Sequence, residues 1–312
     1  MSEKLNRRNF VKTTILGASM ATAVGMPSLS VYASEPLPPL QKKREMATGA
    51  IAGMTFSRMM LGGNLLTHFT HSRDLRYVYN LTAHYNTPQK IHETMRLAEE
   101  HGINTVMIHT AEGVLDGLKE YRRRGGTIQV IICSIAPITE DMAEYTRSCQ
   151  ECIDAGVDSL YLWGVHADHL VNHQPELIRR AVDTMRSFEV PVGVSAHQLS
   201  VIEYCEREKI PCDFYAKTFH QRNYPSVELA SWCDDPEKHI EVFSKVEKPW
   251  IAFKVMAAGA IPPKSALDYT FSNGADFVVF GMFDFEIDEN TRMMNEVLAQ
   301  DNVQNRPRKW GG

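Results

Sequence analysis

The chain has 312 residues, of which 44% are hydrophobic and 23% charged, with a formal net charge of −5. That length and apolar fraction suit one large folded domain. The mild acidity excludes the basic footprint that nucleic acid or an anionic membrane surface requires, so the expected partner is a small molecule.

Residues 6–12 read Asn-Arg-Arg-Asn-Phe-Val-Lys, followed by a mildly apolar run over 13–24 and the small-residue cleavage site Val31-Tyr32-Ala33. This is the pattern of a twin-arginine export signal. It predicts 1–33 as a signal peptide, the Tat export machinery as a partner and a periplasmic or otherwise exported destination. The apolar run is too short to cross about 30 Å of hydrocarbon, so no stable membrane insertion is expected after processing. Export of an already folded chain suits a protein loaded beforehand with a cofactor or a chosen metal. Residues 34–45, rich in proline and charge, read as a tether, and the folded domain is expected over 46–312.

From Met46 onward, short β-branched apolar runs alternate with segments of helical period. Strands are expected at 59–63, 105–110, 129–134, 159–166, 192–197, 213–220, 251–257 and 277–282, with helices at 88–101, 112–123, 140–155, 176–188, 200–209, 236–246, 264–272 and 289–299. Eight such units predict an α/β fold, a single (β/α)8 TIM barrel. The longest connection, 64–87, carries His68, His71, Arg73, Tyr77, His84 and Tyr85; it reads either as a lid or substrate wall or as a plain irregular insertion. The six cysteines scatter over strands and helices, which favours buried free thiols, and the Cys149–Cys152 pair sits inside a helix rather than at its start.

Barrels of this kind keep their chemistry on the loops after the strands, so the strand ends carry the functional candidates. They are Asn64, His109, Ser134, His166, His197, His220 and Lys254, with Asp284 and Glu286 just beyond. His109, His166, His197 and His220 come from four different strands. Converging on one mouth, they would hold a divalent metal such as Zn, Mn or Fe, or else divide proton transfers among themselves. His169 and His173, beside Asp168, read as an extension of the site or as a solvated loop. Lys254 interrupts the apolar run Ile251-Ala252-Phe253, which needs a partner or a lowered pKa and suggests a nucleophile, an electrophilic donor or an ion-paired interior lysine. Lys217 poses the same question, although strand alternation points it away from the face of His220. Trp163, Phe219, Tyr224, Trp232 and Phe283 are candidates to stack on a sugar or simply to pack. The stretches 257–263 and 274–281 resemble the last two strands of barrels that bind phosphate on backbone N–H groups, which makes Gly259, Ala260 and Gly281 candidate cofactor contacts.

Several stretches resemble the aldo/keto reductase family, in the family's order over most of the barrel. They are 57–63 (Ser-Arg-Met-Met-Leu-Gly-Gly), Gly102-Ile103-Asn104 leading to 109–113 (His-Thr-Ala-Glu-Gly), 158–162 (Asp-Ser-Leu-Tyr-Leu) leading to His166, Gly193-Val194-Ser195, and Asn290 where the last helix would meet a nucleotide. The resemblance implies an NADP-dependent oxidoreductase whose catalytic His is His166. It also implies an Asp, a Tyr and a Lys, and here His109 stands in place of the Asp, while the third strand ends in Cys133-Ser134-Ile135 without the Lys. Without a Tyr and Lys pair, the family's proton donor is missing.

The expected function is therefore an exported barrel enzyme for a small carbonyl- or hydroxyl-bearing, carbohydrate-like substrate. His109, His166 and Lys254 are its expected catalytic residues, and a lyase or isomerase reaction, metal-assisted or not, is the expected chemistry. The alternatives are an NADP-dependent reductase, and a periplasmic barrel that binds a ligand without turning it over.

Overall fold

The computed structural model describes residues 35–73, 75–222 and 233–311. The twin-arginine segment and the aromatic candidates Tyr224 and Trp232 lie outside the described residues.

Eight parallel strands close a barrel: β3 (Met59–Gly62), β4 (Thr105–His109), β5 (Gln129–Cys133), β6 (Ser159–Leu162), β7 (Val192–Ala196), β8 (Phe214–Thr218), β9 (Trp250–Phe253) and β10 (Phe277–Phe280). Closure comes from β10 pairing with β3, with Val278 opposite Met59 and Phe280 opposite Leu61. The helices α1 (Arg76–Tyr85), α2 (Pro88–Glu100), α3 (Val114–Arg123), α4 (Ala143–Asp154), α5 (Gly164–His173), α6 (Glu176–Arg186), α7 (Leu199–Arg207), α8 (Pro236–Phe243), α9 (Pro263–Ser272), α10 (Ile287–Leu298) and α11 (Asp301–Gln304) surround it. Among the described residues none of these is long and apolar enough to cross a membrane.

Strand alternation sorts the core into two layers. Met60, Met107, Ile131, Tyr161, Phe214 and Phe277 fill the barrel interior, whereas Leu61, Val106, Ile132, Leu160 and Tyr215 pack outward against the helices. The expected strands were sound in number and order, but several end sooner. The fourth stops at Leu162, because the chain turns helical at Gly164 and carries His166 with it.

Besides the helices α1, α5 and α11, a hairpin and an ordered lead-in have no counterpart among the elements expected. A hairpin, β1 (Thr48–Ile51) with β2 (Met54–Ser57), turns at Ala52 and Gly53, whose φ values of 49° and 84° give the doubly left-handed two-residue turn such ribbons favour. Its Ile51 and Phe56 join the interior cluster and plug the end of the barrel from which β3 starts. The stretch expected as a tether instead lies along the barrel wall: Leu37 N donates to Arg124 O, Lys43 N to Glu100 O, and Arg44 pairs with Asp288.

At the same closed end, Asp276 is fully buried and gathers the C-terminal segment. Its carboxylate accepts from Arg306 (2.7 Å), Arg308 (2.6 Å), Gly311 N (2.6 Å) and Trp250 N (2.9 Å). Trp310 lies between the guanidinium groups of Arg58 and Arg306. Removing one partner of such a buried cluster strands the opposite charges. Asp276→Ala is expected to lower stability by about 3–5 kcal/mol, read as a shifted urea midpoint; a loss below about 1 kcal/mol, the scale of a surface pair, would show that solvent reaches the cluster.

Candidate functional site

With one end plugged, the other opens on a cavity of about 860 Å³. The insertion 64–87, between β3 and α2, supplies a third of the residues that line it. Its base is tied where His68 Nε2–H donates to Asn86 O and Asn86 Nδ2 donates to Leu65 O, both at 2.8 Å. Its far end is tied to the rim, where Tyr85 OH (2.7 Å) and Lys90 Nζ (3.1 Å) converge on Asp284. The insertion thus forms one side of the cavity rather than an irregular excursion away from it.

The barrel's own contribution begins with His197, just past β7. Asp168, on α5, accepts from the backbone N–H of His197 (3.0 Å) and of Gln198 (2.9 Å), and from His197 Nδ1 at 2.7 Å. A carboxylate paired in this way accepts only, so Nδ1 carries the hydrogen and Nε2 remains the basic nitrogen of the ring. The same carboxylate satisfies amides ahead of α7, where helices leave donors unpaired. Gly164 makes room for this arrangement: a Cβ there would sit 3.3 Å from His197 Cε1 and 3.1 Å from Ser195 Oγ.

His109 ends β4 on the inward face, two residues beyond Met107, and burial lowers its pKa. Phe69, from the insertion, stands edge-on to His109 at 5.5 Å and to His71 at 5.3 Å. His71 is pushed down to about 4, chiefly by burial and then by the positive fields of Lys254, His197 and His109. Lys254 follows β9 with φ at 58°, a left-handed conformation that non-glycine residues adopt at a cost and that clusters at functional sites. Burial pushes its pKa down to about 8 despite the opposing pull of Asp168. Glu286 is the one carboxylate among the described lining residues, and it is occupied in accepting from Phe283 N at 2.8 Å.

Other expected members are not brought together. His166 sits in the first turn of α5, edge-on to Trp163 at 5.0 Å, outside the cavity lining. It therefore does not occupy the position the resemblance implied, and the imidazole beside Gly164 is His197, from the next strand. His220 lies two residues past β8, fully buried, with Nδ1–H donating to Gln221 O, and it does not line the cavity either. Of the four expected metal histidines, His109 and His197 therefore line the cavity and His166 and His220 do not. Among the described residues, no three His, Cys, Asp or Glu side chains are grouped as metal ligands.

Of the expected cofactor contacts, Gly259 and Gly281 line the cavity, whereas Ala260 does not and Asn290 is buried on α10. Trp163 and Phe283 line it, but Phe219 is fully buried, stacked on Tyr269. Lys217 is fully buried on the outward face shared with Tyr215 and donates to Thr218 O. The six cysteines are free and buried. His169 and His173 pair with each other on α5 rather than on a loop, and only their neighbour Asp168 reaches the site. Nothing in the spacing of Asp168 and His197, 29 residues apart, announces their contact.

No protein-family model matches the chain, and no curated protein matches it by sequence. Solved structures do match. A protein assigned to the aldo-keto reductases from Pseudomonas aeruginosa is 14% identical with a TM-score of 0.60, over 83% of this chain and 98% of that one. A variant of Gox0644 in complex with NADPH is 12% identical, TM-score 0.54, over 86% and 97%. An aldo/keto reductase from Brucella melitensis is 10% identical, TM-score 0.53, over 84% and 98%. At these identities the similarity defines the fold: a TIM barrel like those of the aldo/keto reductases.

His71 gives the site a spectroscopic handle. Its ring signals in a histidine-selective NMR titration are expected to move with a midpoint near 4, and to move upward in Lys254→Met, because removing a neighbouring cation favours the protonated ring. A midpoint near 6.5, the ordinary histidine value, would place His71 in open solvent.

Proposed function

We propose that the protein is an exported enzyme that transfers protons at the carbon beside a carbonyl or hydroxyl of a small, carbohydrate-like substrate, in an isomerase or lyase reaction. The observation that carries this reading is the Asp168-oriented His197 facing the same cavity as Lys254. Asp168 holds the imidazole in one tautomer and stabilises the imidazolium that forms when Nε2 takes a proton. Lys254, at the substrate oxygen, draws electrons from the adjacent carbon and offsets the charge of the developing enolate. The His197 imidazolium returns that proton at carbon, while His71 and His109, driven toward their neutral forms by burial, are available as hydrogen-bond partners to the substrate oxygens. The apolar walls, including Tyr161, Trp163, Phe253 and Val279, weaken dielectric screening and strengthen each of these effects. The residue pattern at 6–12 supports export by the twin-arginine route.

An NADP-linked reductase is the second reading, favoured by the structural neighbour solved with NADPH. The room for a nucleotide fits: a Cβ at Gly259 or Gly281 would meet nothing within 4 Å. When bound, NADP would supply hydride transfer. The chain's own proton donors would then be His109 and Lys254, since β5 ends in Cys133 rather than a lysine.

The test is isotope exchange in D2O with dihydroxyacetone and a panel of aldoses, followed by proton NMR. Loss of the signal beside the carbonyl is expected, falling by roughly 10²–10⁴-fold in His197→Asn, the range for removing a general base. No exchange, together with carbonyl-dependent oxidation of NADPH, would sink the isomerase reading in favour of the reductase.

A further inference from the structure

We propose that Lys254 is a nucleophile, whose amine condenses with the carbonyl carbon of the substrate to form an iminium inside the cavity. This rests on the proton-transfer reading above and changes how Lys254 withdraws electrons, from a charge beside the oxygen to a covalent bond at carbon.

Three observations favour it. First, Lys254 leaves β9 in a left-handed conformation, directly after Phe253, whose ring stands edge-on to His197 at 5.5 Å. The lysine and the oriented base are therefore delivered to one wall by adjacent packing. Second, its neighbours in the lining, Phe253, Val255 and Met256, are apolar, and an amine in such surroundings loses its charge more readily than one in water. The pKa near 8 agrees with this placement. Third, Lys217, the fully buried lysine of the barrel wall, faces outward and does not line the cavity, whereas the half-buried Lys254 does. Of these two, only Lys254 meets a substrate.

The step balances without an outside oxidant or reductant. The amine lone pair forms the C–N bond, the carbonyl oxygen takes one proton from the attacking nitrogen and one from solvent and leaves as water, and the iminium keeps one N–H and the positive charge. That charge acidifies the neighbouring C–H, and His197 Nε2 takes the proton as the electron pair moves into the C=C bond of an enamine. Return of a proton at carbon and addition of water release the product and the free amine.

The full-length protein would be incubated with limiting glycolaldehyde, dihydroxyacetone or pyruvate and sodium cyanoborohydride, which reduces an iminium to a stable amine, and then digested for mass spectrometry. Lys254 is expected to carry one reduced probe, at a rate on the order of 100-fold above that of a lysine with the ordinary model-peptide pKa near neutral pH, the ratio of uncharged amine. The label should be absent from Lys254→Met and kept in His197→Asn, which retains the lysine and guards against a folding failure of the first variant. Exchange beside the carbonyl without label at Lys254 would overturn the covalent step and leave the proton-transfer reading standing. Neither label nor exchange would overturn both, and label without exchange would uphold the nucleophile while removing the role given to His197.

Discussion

The pairing of β10 with β3 is the constraint from which the site follows. Once the sheet closes on itself, every strand has one row of side chains inside and one row against the helices, and the inner row cannot escape to solvent except at the two ends. The hairpin side chains Ile51 and Phe56 stop one end, and the Asp276 cluster fixes β9, β10 and the C-terminal segment around it. The inner row therefore meets water only at the strand ends. His109 and Phe253 end their strands there, and Ser195 leads into His197 just past β7.

Burial in that mouth acts on three nitrogen groups in the direction their charge dictates. His71, His109 and Lys254 are all driven toward their neutral forms. Asp168 works against burial at Lys254, and burial prevails. The result is two histidines driven toward their neutral forms and a lysine that gives up its proton more readily than usual, beside two carboxylates already committed to internal donors, Asp168 to His197 and Glu286 to Phe283 N.

The insertion 64–87 differs in kind from the barrel that carries it. Its helix α1 buries only Thr82, and Tyr77 and Leu81 are largely exposed, whereas the barrel strands are buried almost throughout. An element with so little buried surface depends on its ties, Tyr85 to Asp284 and His68 to Asn86. Since His71 and Phe69 ride on it, the cavity is complete only with the insertion in place.

The eight strands, their order and the barrel were legible in the sequence because hydrophobic period and glycine punctuation are local properties. So was the position of His109, His197 and Lys254 at the mouth, since strand ends of a barrel converge there whatever the details. The fate of His166 was not legible. It depends on the fourth strand stopping at Leu162 and on Gly164 starting a helix, a boundary that propensity does not resolve to one residue. Nor was the contact of Asp168 with His197, which joins α5 to the end of the next strand and exists only through their packing. The sequence by itself determined which side chains could reach the mouth. The tertiary structure decided which of them meet, because hydrogen bonds, burial and lowered pKa values depend on neighbours that only the closed barrel brings within a few ångströms.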